Sequence, residues 1–256
     1  MFEGKTIGIT GVASGIGAAT AKILQSRGAN IIGFDRNEPA VKVSEFHRVD
    51  LADPNSIEAC VSRVSSSMDG LCNIAGVPPT LDKRTVLRVN FFGLRHFTET
   101  IIDRVADGGV VLNLASLAGF AWRDNLPLVL SGMDTPISMA DAWIEGLDVE
   151  GAPSYHLSKE LVIAWTIWNC QRWRSRNIRM NSVSPGPVET PILQDFVKTL
   201  GKRAEEDLKL NRAATADEIA KVIVFMVSAD ASWINGADIA ADGGAGAVAW
   251  KQLLST

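Results

Sequence analysis

The chain has 256 residues, a formal net charge of -4, 46% hydrophobic and 21% charged residues, a balance that excludes a disordered or collagen-like polymer and fits one globular domain spanning residues 1–256. Its acidic balance and the lack of any Lys/Arg cluster exclude the basic footprint of a nucleic-acid binder. Apolar runs are too short to cross a bilayer, and the first strand-like run at Lys5 leaves no room for an export leader, so a cytoplasmic protein acting on small molecules is expected.

Short β-branched runs alternate with longer helical patterns, which predicts βαβ units around a parallel sheet. Lys5–Thr10 is the first strand. Gly11, Ser14, Gly15, Ile16 and Gly17 follow in a glycine turn that opens a helix over Gly15–Arg27. Such a turn lets backbone approach a pyrophosphate, whose charge the helix N-terminus favours; close packing alone is the other reading. The second strand, Ala29–Phe34, ends at Asp35, about twenty residues past the glycines, where a carboxylate can accept from adenosine ribose hydroxyls. That choice points to NAD(H), because a 2′-phosphate would meet a like charge, while the neighbouring Arg36 keeps NADP open. Asp50 and Leu51, at the end of the third strand (Phe46–Asp50), are placed to flank the adenine.

A helix over Ser56–Ser66, a strand over Gly70–Ala75, a helix over Val86–Val105 and a strand over Val110–Ala115 come next. The stretch from Ser116 to Tyr155 is too long for a plain connection and predicts a helical insertion over about residues 120–150, with apolar residues at helical spacing over Ser138–Leu147. The helix Pro153–Arg174 carries Tyr155 and Lys159 at i, i+4, on one face. A nearby ammonium favours the phenolate, which would lower the tyrosine pKa and make Tyr155 a proton donor to a carbonyl or acceptor from an alcohol. Tyr155 is the only tyrosine in a chain with 7 tryptophans. The strand Ile178–Ser184, the helix Ala216–Ser228 and the strand Asp238–Asp242 complete a seven-stranded sheet. Cys60, Cys72 and Cys170 read as buried free thiols, and the scattered His47, His96 and His156 give no metal site.

Taken in order, these segments resemble the short-chain dehydrogenase/reductase family, of the compact type, over essentially the whole chain. The glycine turn matches the family's cofactor motif; Asn73-Ile74-Ala75-Gly76 resembles its strand-four Asn-Asn-Ala-Gly, departing at Ile74; and Asn90 matches its helix asparagine. Ser116 falls at the catalytic serine, Tyr155 to Lys159 is the Tyr-x-x-x-Lys motif, Pro185-Gly186-Pro187-Val188-Glu189-Thr190 resembles the cofactor-closing segment, and Asp242-Gly243-Gly244 the terminal motif. The resemblance implies a Rossmann-type, doubly wound, three-layer α/β/α fold. It also implies catalysis by Asn90, Ser116, Tyr155 and Lys159, with cofactor contacts from the glycine turn, Asn73, Ala75, Gly76, Pro185, Gly186, Val188 and Thr190. In the implied mechanism Ser116 binds the substrate oxygen, Tyr155 exchanges its proton, Lys159 lowers the tyrosine pKa and holds the nicotinamide ribose, and Asn90 carries a proton relay through water.

The long insertion most resembles that of bacterial 3α-hydroxysteroid dehydrogenase/carbonyl reductases and coniferyl-alcohol dehydrogenases, which implies a bulky apolar alcohol or ketone as substrate. Its apolar residues, among them Phe120, Trp122, Met133, Met139 and Trp143, either wall a pocket or form a small core of their own. Residues 187–212 are expected to form a lid, with Leu193, Phe196 and Leu200 closing on substrate. The family implies a homodimer or homotetramer, and Trp165, Trp168 and Trp173 serve either that interface or the core. A cofactor-binding regulator without turnover and an NAD-using isomerase or dehydratase are the rival readings.

Overall fold

The computed structural model describes residues 2–191, 193, 195 and 212–248. Seven strands, β1 (Thr6–Thr10), β2 (Asn30–Asp35), β3 (Glu45–Arg48), β4 (Met68–Asn73), β5 (Val105–Leu114), β6 (Arg179–Pro185) and β9 (Asp238–Ala241), form one sheet in the order β3-β2-β1-β4-β5-β6-β9. Every pairing is parallel. Parallel strands are covered on both faces and therefore read as near-continuous apolar runs; β1 is buried from Ile7 to Thr10 and β2 from Ile31 to Phe34.

Helices α1 (Gly15–Ser26) and α8 (Ala216–Val227) pack together over one face, where Ile7, Ile9, Leu24, Ile219 and Ile223 form a core. Helices α2 (Pro54–Arg63), α4 (Leu94–Ile101) and α7 (Ala152–Asn169) contribute to the other core, around Phe34, Phe91, Phe97, Leu161 and Trp165. This is the three-layer doubly wound fold expected. The strand order reverses between β1 and β4, and in such sheets ligands bind at that switch point, outside the carboxyl ends of the strands.

Helix starts follow local chemistry. Asp53 accepts from the Asn55 N–H ahead of α2 with Pro54 in the first turn, Asp82 caps α3 (Lys83–Leu87), and Thr215 with Glu218 forms a capping box at α8. The expected helix from Val86 to Val105 is broken. Between α3 and α4 the chain makes a π turn over Arg88–Gly93, then ends in a short 3-10 turn, and Val105 already belongs to β5. A Cβ at Gly93 would stand 2.0 Å from the Leu51 carbonyl oxygen, so the widened turn lies directly against the loop after β3. Pairing of β5 with β4 shifts between Met68 and Gly70, which accounts for the early start of the strand.

The insertion holds two helices, α5 (Leu126–Asp134) and α6 (Ala140–Glu145), of which the periodicity anticipated the second. Most of its apolar residues fill a core: Val129, Met133 and Ile144 are buried, and Trp122, Leu128 and Trp143 pack against them. Met139 is exposed. Arg95, buried on α4, donates to the Met133 and Thr135 carbonyls, two acceptors left open at the end of α5. A pair of short strands absent from the sequence reading, β7 (Val188–Glu189) and β8 (Ala214–Thr215), ties the two ends of the expected lid in parallel. Of its three closing residues Leu193 is described, while Phe196 and Leu200 lie outside the described residues. Cys60 and Cys72 are buried as expected; Cys170 is half-buried, at the end of α7. Trp165 is core, Trp173 packs against that core, and Trp168 is exposed.

Candidate active site

A cleft of about 950 Å³ runs along the carboxyl ends of the strands at the switch point. Its first wall is the glycine turn: Gly11, Ser14, Gly15, Ile16 and Gly17 all line it. Gly11 has φ 73°, and a Cβ there would meet the Ala75 backbone at 2.8 Å; a Cβ at Gly17 would stand 2.0 Å from the Gly11 carbonyl oxygen. Glycine is thus required for the start of α1 to lie on the end of β1. Ser14 makes no side-chain cap, unlike the cap residues of α2, α3 and α8, and the first turn of α1 holds no acid, so its N–H groups open toward the cleft with a partial positive charge. A diphosphate fits this cradle.

Asp35 and Arg36 line the cleft beside it. The Asp35 carboxyl accepts from the Ala13 N–H at 3.0 Å and the Asn37 N–H at 3.0 Å, so it braces the glycine turn. Each oxygen keeps a lone pair for a further donor. Asp50 and Leu51 also line the cleft, Asp50 holding its own turn through the Ala52 N–H at 2.9 Å. Ala75, Gly76, Pro185, Gly186, Val188 and Thr190 complete the predicted set that the structure brings together.

Asn73 is not among them. It is 1% exposed, and its amide donates to Thr98 Oγ1 and Asn113 Oδ1, both at 2.8 Å, while Asn113 donates to Thr166 at 2.9 Å. The side chain of the last residue of β4 points into the layer of α4 and α7, which is why this motif residue braces the sheet and does not meet the cleft. Asn90 also lies behind the cleft: its amide accepts from the Val77 N–H at 2.8 Å and donates to the Val77 carbonyl at 3.1 Å and to Ser158 Oγ at 3.2 Å. Its amide is thereby committed to protein partners and ties the loop after β4 to α7. Thr10, the first residue of the cofactor motif, was assigned no contact from sequence; its hydroxyl accepts from the Ile74 and Ala75 N–H groups at 3.0 and 3.1 Å.

At the far end Ser116, Tyr155 and Lys159 line the same cleft. Ser116 follows β5 and its Oγ caps the next turn through the Ala118 N–H at 3.2 Å. Tyr155, 8% exposed, is hydrogen-bonded to Ser116. Lys159 donates to the Leu114 carbonyl at 3.0 Å and stands 5.6 Å from the centre of the Tyr155 ring. The expected lowering of the tyrosine pKa by Lys159 is corrected: burial pushes the phenol up to about 12, against the pull of the Ser116 bond. Burial likewise pulls Lys159 down to about 8. Both groups are held toward their neutral forms because the site withholds water from either charge.

This strain has a measurable consequence. The folded pKa of Lys159 lies below the 10.5 of the free side chain, so the unfolded chain binds more protons between about pH 8 and 10.5, and stability rises with pH across that window. Below it the full cost, about 3 kcal/mol, is present. Lys159→Met is therefore expected to stabilise the cofactor-free protein at pH 7 by about 1–2 kcal/mol after the lost Leu114 bond, with the advantage fading toward pH 10.5. Denaturant unfolding of both proteins across pH checks this; a destabilised variant at pH 7 would sink it.

The short chain dehydrogenase family profile matches residues 5–127, and the enoyl-(acyl carrier protein) reductase profile matches residues 143–246. The coniferyl-alcohol dehydrogenase of a Pseudomonas species is 43% identical over 94% of this chain and 96% of its own length. This chain belongs to the short-chain dehydrogenase/reductase family. The 3-alpha-hydroxysteroid dehydrogenase/carbonyl reductase of Comamonas testosteroni is a more distant member, 31% identical over 94% of this chain and 96% of its own. Among solved structures, a Pseudomonas 3-alpha-hydroxysteroid dehydrogenase complexed with NADH superposes with a TM-score of 0.82 at 29% identity, covering 96% of this chain and 98% of that one. As an oxidoreductase of this family, the protein has alcohol dehydrogenases among its relatives. Among the described residues no group of His, Cys, Asp or Glu is arranged to hold a metal, and no helix is long and apolar enough to cross a membrane.

Proposed function

We propose that the protein is an NAD(H)-dependent cytoplasmic oxidoreductase that interconverts a secondary or allylic/aryl alcohol and its carbonyl on a bulky apolar substrate. The observation that carries this reading is one cleft with the Ser116, Tyr155 and Lys159 side chains at one end and the Asp35 carboxyl beside a glycine cradle at the other. A bound nicotinamide supplies the two-electron exchange with the carbinol carbon. Ser116 and Tyr155 hydroxyls orient the substrate oxygen, and Tyr155 gives its proton to a carbonyl or takes one from an alcohol. The hydroxyl already bonded to Ser116 is the one that moves the proton. Lys159, one turn along α7, holds the ribose and adds positive charge beside the phenol when protonated. Asn90 acts as a positioning residue, through Val77 and Ser158. Leu117, Phe120, Ala121 and Leu193 give the cleft an apolar wall suited to the aryl or steroid alcohols after which the relatives are named.

Absorbance of reduced nicotinamide, followed with coniferyl alcohol and with a 3α-hydroxysteroid, tests the reading. NAD-linked oxidation of at least one is expected. Cofactor binding without turnover would favour the regulator, and product without net cofactor change the isomerase. Asp35 sets the nucleotide: NAD is expected to be preferred over NADP by roughly 100-fold, and Asp35→Ser to reduce that ratio below about tenfold by removing a like charge from the 2′-phosphate. A preference for NADP in the unaltered protein would show that Arg36 governs. The exposed rings of Phe225 and Trp233 support assembly as a homodimer or homotetramer, which sedimentation checks.

A further inference from the structure

Among the polar side chains of the cleft that the mechanism leaves without a role, that of Glu160 is buried. Glu160 follows Lys159 on α7, is 7% exposed, and lines the cleft in the company of Leu117, Phe120 and Ala121. A carboxyl so largely withdrawn from water is costly unless its lone pairs are used; burial pushes its pKa up, and Asp124 adds to the rise.

The surroundings aim this group. A Cβ at Gly119 would stand 2.6 Å from the Lys159 carbonyl carbon and 2.8 Å from the Glu160 nitrogen, so the turn carrying Ser116 lies directly on α7 at this point. Asn125, just ahead of α5, donates through Nδ2 to Glu160 Oε2 at 2.8 Å. Among the described residues this is the hydrogen bond the carboxyl makes, and Oε1 makes none. One oxygen is fixed by the insertion and the other is left to accept a bond from a molecule in the cleft.

We propose that Glu160, oriented by Asn125, is a specificity-determining hydrogen-bond acceptor that selects aryl-allylic alcohols bearing a free phenolic hydroxyl remote from the reacting carbinol. A phenol donates to the open oxygen and compensates its burial. A methyl ether at the same place presents no donor and leaves the carboxyl unpaired, the situation in which sites discriminate most strongly. The inference rests on the alcohol dehydrogenase reading above and deepens it.

The test compares kcat/KM for 4-hydroxycinnamyl alcohol and its 4-O-methyl ether in the unaltered protein, in Glu160→Leu and in Glu160→Gln. The unaltered protein is expected to favour the phenol by roughly 10- to 100-fold. Glu160→Leu removes that preference by lowering phenol turnover while leaving the ether within about threefold, and Glu160→Gln, which keeps an acceptor, falls between. Equal kcat/KM for the two alcohols in the unaltered protein overturns the proposal. So does an equal loss on both in either variant, which would mean that Glu160 only clamps the insertion to α7. Oxidation of the steroid with neither cinnamyl alcohol accepted overturns this inference and leaves the proposed function standing. No NAD-linked turnover of any of them overturns both.

Discussion

Tyr155→Phe is expected to lower turnover by about 10³-fold, within the range that a positioned general acid/base supplies, while cofactor affinity and thermal midpoint change little. The phenol is the group that shares a hydrogen bond with Ser116 inside the cleft, and the substitution removes that oxygen and nothing else. Filling of the site is preserved, since the ring keeps its contacts; the ammonium of Lys159 keeps its bond to Leu114. The high phenol pKa, about 12, means that the proton stays on Tyr155 through the neutral range, ready for donation to a carbonyl. Alcohol oxidation, which needs the phenolate, is accordingly expected to accelerate with rising pH, and carbonyl reduction to be less dependent on it. Single-turnover rates with cofactor titrations separate chemistry from binding. Near-normal turnover in the variant would remove Tyr155 from the mechanism.

Gly17→Ala is expected to weaken cofactor binding by about 10²-fold or more and to destabilise the fold by about 2–4 kcal/mol, as overpacked sites do. A Cβ at this position would stand 2.0 Å from the Gly11 carbonyl oxygen and 2.7 Å from its carbon. Both are backbone atoms of the turn itself, so relief requires α1 to move away from β1. That displacement carries the open N–H groups of the first helical turn away from the place where a diphosphate would sit. It also disturbs the Ala13 N–H held by Asp35. Calorimetric titration with NAD(H) and denaturant unfolding read the two effects separately, and an unchanged affinity would show that the turn does not hold the diphosphate.

The glycine turn, the Tyr155 to Lys159 spacing and the alternation of strands and helices were legible because each depends on residues close in the chain. A tight turn needs glycine at fixed offsets, a shared helix face needs an interval of four, and a strand buried on both sides needs an apolar run. The order of these segments also carried the family. Less legible were the break in the long helix at Arg88–Gly93 and the early start of β5. Both follow from contacts with distant chain: Gly93 against Leu51, and Val105 against Met68.

The same distinction runs through the site. By itself the sequence determined the sheet and singled out Ser116, Tyr155, Lys159 and the carboxylate at the end of β2, all of which line the cleft, since their identities and intervals are local properties of the chain. Only the tertiary structure decided which motif residues meet the cleft. Asn73 and Asn90 sit in motifs beside cleft residues, yet packing turns the first toward Thr98 and Asn113 and the second toward Val77 and Ser158. Glu160 shows the reverse, a residue with no motif that the docking of the insertion leaves facing the cleft. Direction of a side chain and the burial that shifts its proton affinity are set by neighbours remote in sequence, which no interval along the chain encodes.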